Sequence, residues 1–243
     1  QDDFILADGA CTHPRGAGLP LVPLFNAFFK RLSPAAADLI LVKYDTHFTG
    51  EYPMSEEAQL FPTPHCLWNT AGQKLTVDLN FIDLRIPRFH MNKNVFSMWG
   101  NNPIDIGQVP FQSAEERLAY QNLFHVTRSF NQLERGTPRD AWLKEQNITP
   151  QTTTVVIAGI YADYCTRDAI EGYLKRGFNV IALTDLTAGI GGNPDRSGLD
   201  LTGDLDQVCD QAFNKPLQSG QLRLMTTEDF LKNPRSLTQL NAI

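Results

Sequence analysis

Basic runs, paired cysteines and long apolar stretches are all missing from this chain of 243 residues. The formal net charge is -6 and the sequence pI is near 5.3. With no cluster of Lys or Arg, there is no electrostatic footprint for nucleic acid or an anionic membrane surface. Four cysteines, Cys11, Cys66, Cys165 and Cys209, stand far apart and form no CxxC pair. That spacing argues against a zinc ribbon or a dense disulfide framework and fits a reducing, cytoplasmic compartment. No apolar run approaches the ~20 residues of a membrane span, and no charged-then-apolar leader precedes the first strand. The chain starts at Gln1 rather than Met, which leaves a removed leader open. P-loop, GxGxxG and GxSxG motifs are absent as well, which removes the common nucleotide-binding and serine-hydrolase readings. No internal repeat, low-complexity segment or linker interrupts the chain, so one domain over residues 1–243 is expected. These absences leave a small molecule as the partner, with homo-oligomerisation open.

What is present is an alternation of short apolar runs and helical spacings. Strands are expected at Phe4–Ala7, Leu39–Val42, Phe89–Met91, Val155–Ala158, Val180–Leu183 and Leu222–Thr226. The run Val155–Ala158 carries no polar alternation, which predicts a central strand buried on both faces and stopped by Gly159. Helices are expected over Leu21–Leu32, ended by Ser33-Pro34, over Ser113–Leu133, opened by a Ser113/Glu116 capping box, and over Arg139–Gln146, Asp163–Lys175 and Asp206–Phe213. Residues 48–72, rich in Pro and Gly, form a long ordered loop, a feature that in compact domains is usually functional. This alternation specifies an α/β class, a doubly wound and mostly parallel sheet with helices on both faces. Ligands in such folds bind outside the carboxyl ends of the strands, a rule that gathers Asp8, Asp45, His47, Lys93 and Cys165 on one rim.

Two sets of residues on that rim carry chemistry. Cys165 falls between a strand end and a helix start, where unpaired N–H groups and the helix dipole favour the thiolate. A buried structural cysteine would suit the same turn. Asp8 and Lys93 supply a proton acceptor and a cation for such a nucleophile. The second set is Asp45, His47 and His65. An Asp-x-His at a strand end with a distant third His is the pattern of a catalytic metal site, and structural histidines give the same short motif.

The segments YDTH, FPTPHCLWNTAGQKL, NKNVFS and VVIAGIYADYCTRDAIEGYLKRGFNVIALTDLTAG, in this order, resemble the isochorismatase-like cysteine hydrolases, and among them the nicotinamidases. The resemblance runs over residues 4–100 and 138–190. It implies a catalytic triad of Asp8, Lys93 and Cys165. The family turn before the cysteine matches Gly159 to Cys165 and implies a cis bond between Ile160 and Tyr161, with backbone N–H groups of Tyr161 or Ala162 and of Cys165 as an oxyanion hole. It also implies a divalent metal, zinc first and manganese or iron next, on Asp45, His47 and His65, to which a pyridine nitrogen binds in nicotinamidases.

The activity implied is hydrolysis of a small carboxamide, nicotinamide foremost, to an acid and ammonia through a thioester on Cys165. Another cysteine-hydrolase substrate, such as a ureido or carbamoyl compound or isochorismate, is the alternative, and a non-catalytic binding homologue is the reading from a different class. The chain departs from the family at its pocket. Ala10 replaces a Gln, His13 stands where an aromatic ring is usual, Phe61 replaces a Trp, and Pro64 makes the loop before His65 one residue longer. Trp99 is a candidate replacement wall beside His13 and Phe61. Residues 104–137 form an insertion with no counterpart.

Overall fold

The computed structural model describes residues 21–189 and 205–234. The expected strand at 4–7, with Asp8, Ala10, Cys11 and His13, lies outside the described residues. In chain order the elements are α1 (Leu21–Arg31), β1 (Ile40–Asp45), α2 (Glu56–Leu60), β2 (Arg88–Lys93), α3 (Ala114–Gln121), β3 (His125–Thr127), β4 (Thr137–Pro138) and α4 (Arg139–Glu145). They continue with β5 (Thr154–Ile160), α5 (Cys165–Lys175), β6 (Asn179–Ala188), α6 (Leu205–Ala212), α7 (Asn214–Ser219), β7 (Leu222–Met225) and α8 (Thr227–Lys232). The class is α/β with parallel-rich sheets, and the described residues group into two compact units.

The first unit takes in residues 39–76 and 87–146. Its sheet has the order β1-β2-β3-β4. β1 and β2 run parallel, in a register that sets Asp45 opposite Lys93 at their carboxyl ends. β3 then pairs antiparallel with the second edge of β2, His90 facing Thr127 and Met91 facing Val126. The helix expected over Ser113–Leu133 is therefore two elements, α3 and β3. Its start is as the capping box predicts, since the Ser113 hydroxyl accepts the Glu116 N–H at 3.0 Å and the Glu116 carboxylate reaches back to the Gln112 N–H. It ends at Gln121 because the chain turns through Phe124 at φ 62 and the β-branched pair Val126-Thr127 gains the open edge of β2, a tertiary pairing that outweighs helix propensity. The segment 104–137 thus extends the sheet, and its side chains Val109, Ala119, Tyr120 and Leu123 pack on Phe48.

The second unit takes in residues 21–38, 77–86, 147–189 and 205–234. Its strands β5, β6 and β7 are all parallel. Burial concentrates in β6, where Val180, Ile181, Ala182 and Leu183 are each 0% exposed. Among the described residues β6 is the strand of this sheet paired on both edges, whereas β5, expected to be buried on both faces, shows Val156 37% exposed. Gly159 does not stop β5. The register on β6 shifts between Ile157 and Gly159 and the strand continues to Ile160, a bulge whose φ of 140 only glycine adopts without strain. The Ile160–Tyr161 peptide bond is cis. α5 opens at Cys165 and ends at Lys175, and just past it Gly177, at a left-handed φ of 84, donates its N–H to the Leu174 carbonyl. No helix among the described residues is long and apolar enough to cross a membrane.

α8 is fastened to α1 by Phe230, which is 2% exposed and lies 6.3 Å from the Phe28 ring. Phe230→Ala should lower the unfolding free energy by about 3–5 kcal/mol. Leu84→Ala, at a side chain 85% exposed, should change it by less than ~0.5 kcal/mol. Urea titrations of both variants check the contrast.

Candidate active site

The site in the first unit is built by three backbone clamps. The Thr46 N–H donates to the Lys93 carbonyl at 2.8 Å, which ties the end of β1 to the end of β2. The His47 N–H donates to the Cys66 carbonyl at 3.1 Å, and the Trp68 N–H donates to the His47 carbonyl at 2.7 Å. This single parallel bridge draws His65 beside His47, although eighteen positions separate them. Cys66 takes φ 50 to make the turn and is fully buried. Between the two histidines the chain folds over as α2, whose N-cap Ser55 accepts the Ala58 N–H and which delivers Glu57 inward, 1% exposed.

Four side chains therefore converge: Asp45, His47, Glu57 and His65, with one donor atom of each within 4.8 Å of the others. Glu57 Oε2 lies 3.1 Å from His47 Nε2 and 3.4 Å from His65 Nε2. Asp45 Oδ2 lies 3.6 Å and 3.8 Å from the same two nitrogens. A tetrahedron of donors at ~2.0–2.2 Å from a metal has edges of roughly 3.3–3.6 Å, so these separations are those of a coordination shell. The far side of each imidazole agrees. His47 Nδ1 faces the Glu51 carboxylate at 3.3 Å, and His65 Nδ1 lies 3.1 Å from both the Thr63 carbonyl and the Tyr52 hydroxyl. Acceptors at Nδ1 assign the proton there and turn the Nε2 lone pair to the cluster. Glu57 Oε1 is buried with no hydrogen-bond partner among the described residues.

Charge makes the same demand. Glu51 and Glu57 are buried carboxylates and the Asp45 side chain is 10% exposed, and among the described residues Lys93 is the buried ammonium beside them, its Nζ donating to Asp45 Oδ1 at 3.1 Å. Three negative groups against one positive leave two charges, which one divalent cation or two imidazolium ions neutralise. Without a metal the protons do this. Burial disfavours the charged imidazole of His47, but Asp45, Glu51 and Glu57 overcome it and hold its pKa well above the ordinary value. His65, likewise opposed by burial and raised by Asp45 and Glu57, moves to about 9. Burial pushes the Asp45 carboxyl up, while Lys93, His47 and His65 pull it well below the usual carboxylate range. The donors present thus fit a divalent ion that displaces those protons.

The sequence singled out Asp45, His47 and His65, and the structure brings them together. It missed Glu57, the one acid in the 48–72 loop that a short helix turns inward; the signal was Ser55-Glu56-Glu57, an N-cap followed by two acids between the histidines. Phe61 presents its ring edge-on to His65, centroids 6.2 Å apart. Trp99 carries the Arg139 guanidinium 5.4 Å from its ring centroid, and Arg139 also holds the Met98 and Gly100 carbonyls on either side, which is the environment of a packing anchor. A cleft of about 500 Å³ among Asn102, Tyr120, His125 and Arg139 is lined by none of the four donors. In the second unit, Cys165 is the first residue of α5 and is half-buried. The Ala162 N–H donates to the Ala188 carbonyl at 2.9 Å.

Alanine at Asp45, His47, Glu57 or His65 should each lower the divalent metal retained by the purified chain, measured by elemental analysis. A Glu57→Ala protein that keeps the full wild-type content would remove Glu57 from the set.

No protein-family model and no curated protein matches this sequence. Solved structures do match. The pyrazinamidase of Pyrococcus horikoshii in complex with zinc is 21% identical, over 93% of this chain and 94% of that one, with a TM-score of 0.53. The pyrazinamidase/nicotinamidase of Streptococcus mutans is 18% identical over 92% and 94%, with a TM-score of 0.56. A cysteine hydrolase of Pseudomonas syringae pv. phaseolicola is 13% identical over 98% and 89%, with a TM-score of 0.59. With a strand-end Asp-x-His, a parallel α/β core and a cysteine opening the helix after β5, this chain has the fold of the nicotinamidases, pyrazinamidases and isochorismatase-like cysteine hydrolases.

Proposed function

We propose that the protein is a metal-assisted cysteine amidohydrolase that cleaves a small carboxamide, nicotinamide or a close relative, to the acid and ammonia. The observation that carries this reading is the buried cluster of two imidazole nitrogens and two carboxylate oxygens with Lys93 bonded to one of its members. A zinc complex of a pyrazinamidase with the same fold supports it. Asp45, His47, Glu57 and His65 would hold the ion. Such an ion supplies Lewis acidity and an anchoring point for a nitrogen or oxygen of the substrate.

The chain's own residues do the rest. Cys165 is the nucleophile, favoured as thiolate by the first turn of α5. Asp8 takes the thiol proton; the sulfur adds to the amide carbonyl; the tetrahedral species collapses as the C–N bond breaks, and Asp8 returns the proton to the departing ammonia. Water then adds to the thioester, Asp8 taking its proton, and C–S cleavage releases the acid and restores the thiol. Lys93 holds positive charge for this chemistry while its bond to Asp45 fixes the ammonium at the end of β2. The amides of Tyr161 or Ala162 and of Cys165 would form the oxyanion hole, the Ala162 N–H being donated to the Ala188 carbonyl in this structure; each such donor is worth roughly 3 kcal/mol in other hydrolases.

Ammonia release from nicotinamide, pyrazinamide and aliphatic amides tests the activity. Cys165→Ala should lower turnover by more than about 10³-fold without loss of fold, and substantial turnover by that variant would sink the mechanism. Hydrolysis of a ureido or carbamoyl compound in preference to every amide would transfer the reading to the cysteine hydrolases of other substrates, which the Pseudomonas syringae neighbour supports.

The aromatic wall can be tested separately. The Phe61 ring beside His65 is the better-placed partner for a pyridine than Trp99, whose ring already bears Arg139. Phe61→Ala should raise KM for an aromatic amide by up to roughly tenfold, the worth of one aromatic contact, and raise KM for an aliphatic amide less. Equal changes on both would make Phe61 a packing residue.

A further inference from the structure

We propose that Glu51 is a positioning residue for the metal centre, holding His47 as the tautomer that binds the ion; the inference rests on the metal-centre reading above. Glu51 is 0% exposed. Its Oε2 accepts from His47 Nδ1 at 3.3 Å and from the Phe48 N–H at 3.2 Å, and its Oε1 accepts from Asn94 Nδ2 at 3.0 Å. No Lys or Arg forms an ion pair with it among the described residues. A carboxylate so buried and without a cation of its own is expensive unless a positive charge lies one group away. Only the His47 side offers that, either an imidazolium or a cation reached through the ring.

The turn is shaped to make this contact. Residues 47–51 double back through the Glu51 and Tyr52 N–H groups, both donating to the Phe48 carbonyl. Gly50 lies so close to Pro110 that a Cβ would come within 2.6 Å of the Pro110 carbonyl oxygen. Glu51 is thereby returned to the ring of His47, on the edge opposite Nε2. A carboxylate at Nδ1 makes Nε2 the lone-pair nitrogen and increases its basicity, and removal of such partners elsewhere costs about 10–100-fold in metal affinity. Asn94, next in sequence to Lys93, holds the other oxygen and also donates to Asn102 Oδ1 at 3.1 Å, so the carboxylate is fixed from both sides.

A mere turn former would do less. Glu51→Gln keeps an oxygen for His47 and Phe48, and a half-turn of the Asn94 amide would present Oδ1 to the new NH₂ at the cost of its bond to Asn102, a loss that thermal unfolding without zinc reads separately. The substitution removes the charge and keeps the acceptor for His47 Nδ1 and the Phe48 N–H. Zinc titrations against a chromophoric chelator, on the full chain, should show a dissociation constant about 10–100-fold weaker for Glu51→Gln than for wild type. ¹⁵N-detected imidazole NMR of the zinc-loaded proteins should show the His47 Nδ1–H shift moved away from that of a carboxylate-bonded ring. Glu51→Asp, which retains the charge, should recover part of the affinity and serves as the second variant should Glu51→Gln fail to fold. Zinc affinity within twofold of wild type in the folded variants, or a loss matched by an equal loss in both variants' thermal unfolding without zinc, would overturn the proposal. Wild-type protein that binds no zinc would overturn the metal-centre reading itself, and this inference with it.

Discussion

Burial of like charge is the constraint on which the rest of the first unit depends. Asp45, Glu51 and Glu57 are packed within reach of two imidazoles and one ammonium, in a setting where solvent cannot dilute their repulsion. A cluster of this kind is stable only when its positive complement is complete. The protein answers with Lys93 on one side of Asp45 and with sites for protons or a dication on the other. Proton and metal are then competitors for one place, so pH and metal supply act on the same free energy.

That arrangement needs rigid support, and the insertion supplies some of it. Thr46, the residue between Asp45 and His47, donates to Asn92 Oδ1 at 2.9 Å and accepts from Gln73 Nε2 at 3.0 Å. Gln132, from the insertion, donates to the same Asn92 oxygen at 2.6 Å. Phe48, just past His47, is buried against Tyr120 and Leu123. The segment 104–137 is thus wired to the backbone that presents the four clustered donors, through side chains rather than as a separate module.

Much of this was legible in the sequence, for a physical reason. Strand ends bearing acids, a helix opening at Cys165 and an Asp-x-His are local signals, and the α/β alternation fixes the side of the sheet on which they emerge. What escaped depends on distant partners. Val126 and Thr127 read as the tail of a helix until β2 offers them an edge, and Gly159 reads as a stop until the bulge on β6 carries the strand past it. Glu57 and Glu51 look like ordinary acids of a solvated loop. Nothing local says that a short helix and a tight turn will aim both at the ring of His47.

The backbone bridge between His47 and Leu67 has a consequence for how this architecture can vary. It pins both ends of the segment 48–64, so the two histidines keep their separation whatever happens to the chain between them. Pro62, Thr63 and Pro64 are exposed, and the one extra residue before His65 lies among them. Length can change there at little cost, because loop closure depends only weakly on the number of residues. The loop can therefore change its contents, Glu57 included, while the two backbone clamps still hold the strand-end Asp and the two histidines together.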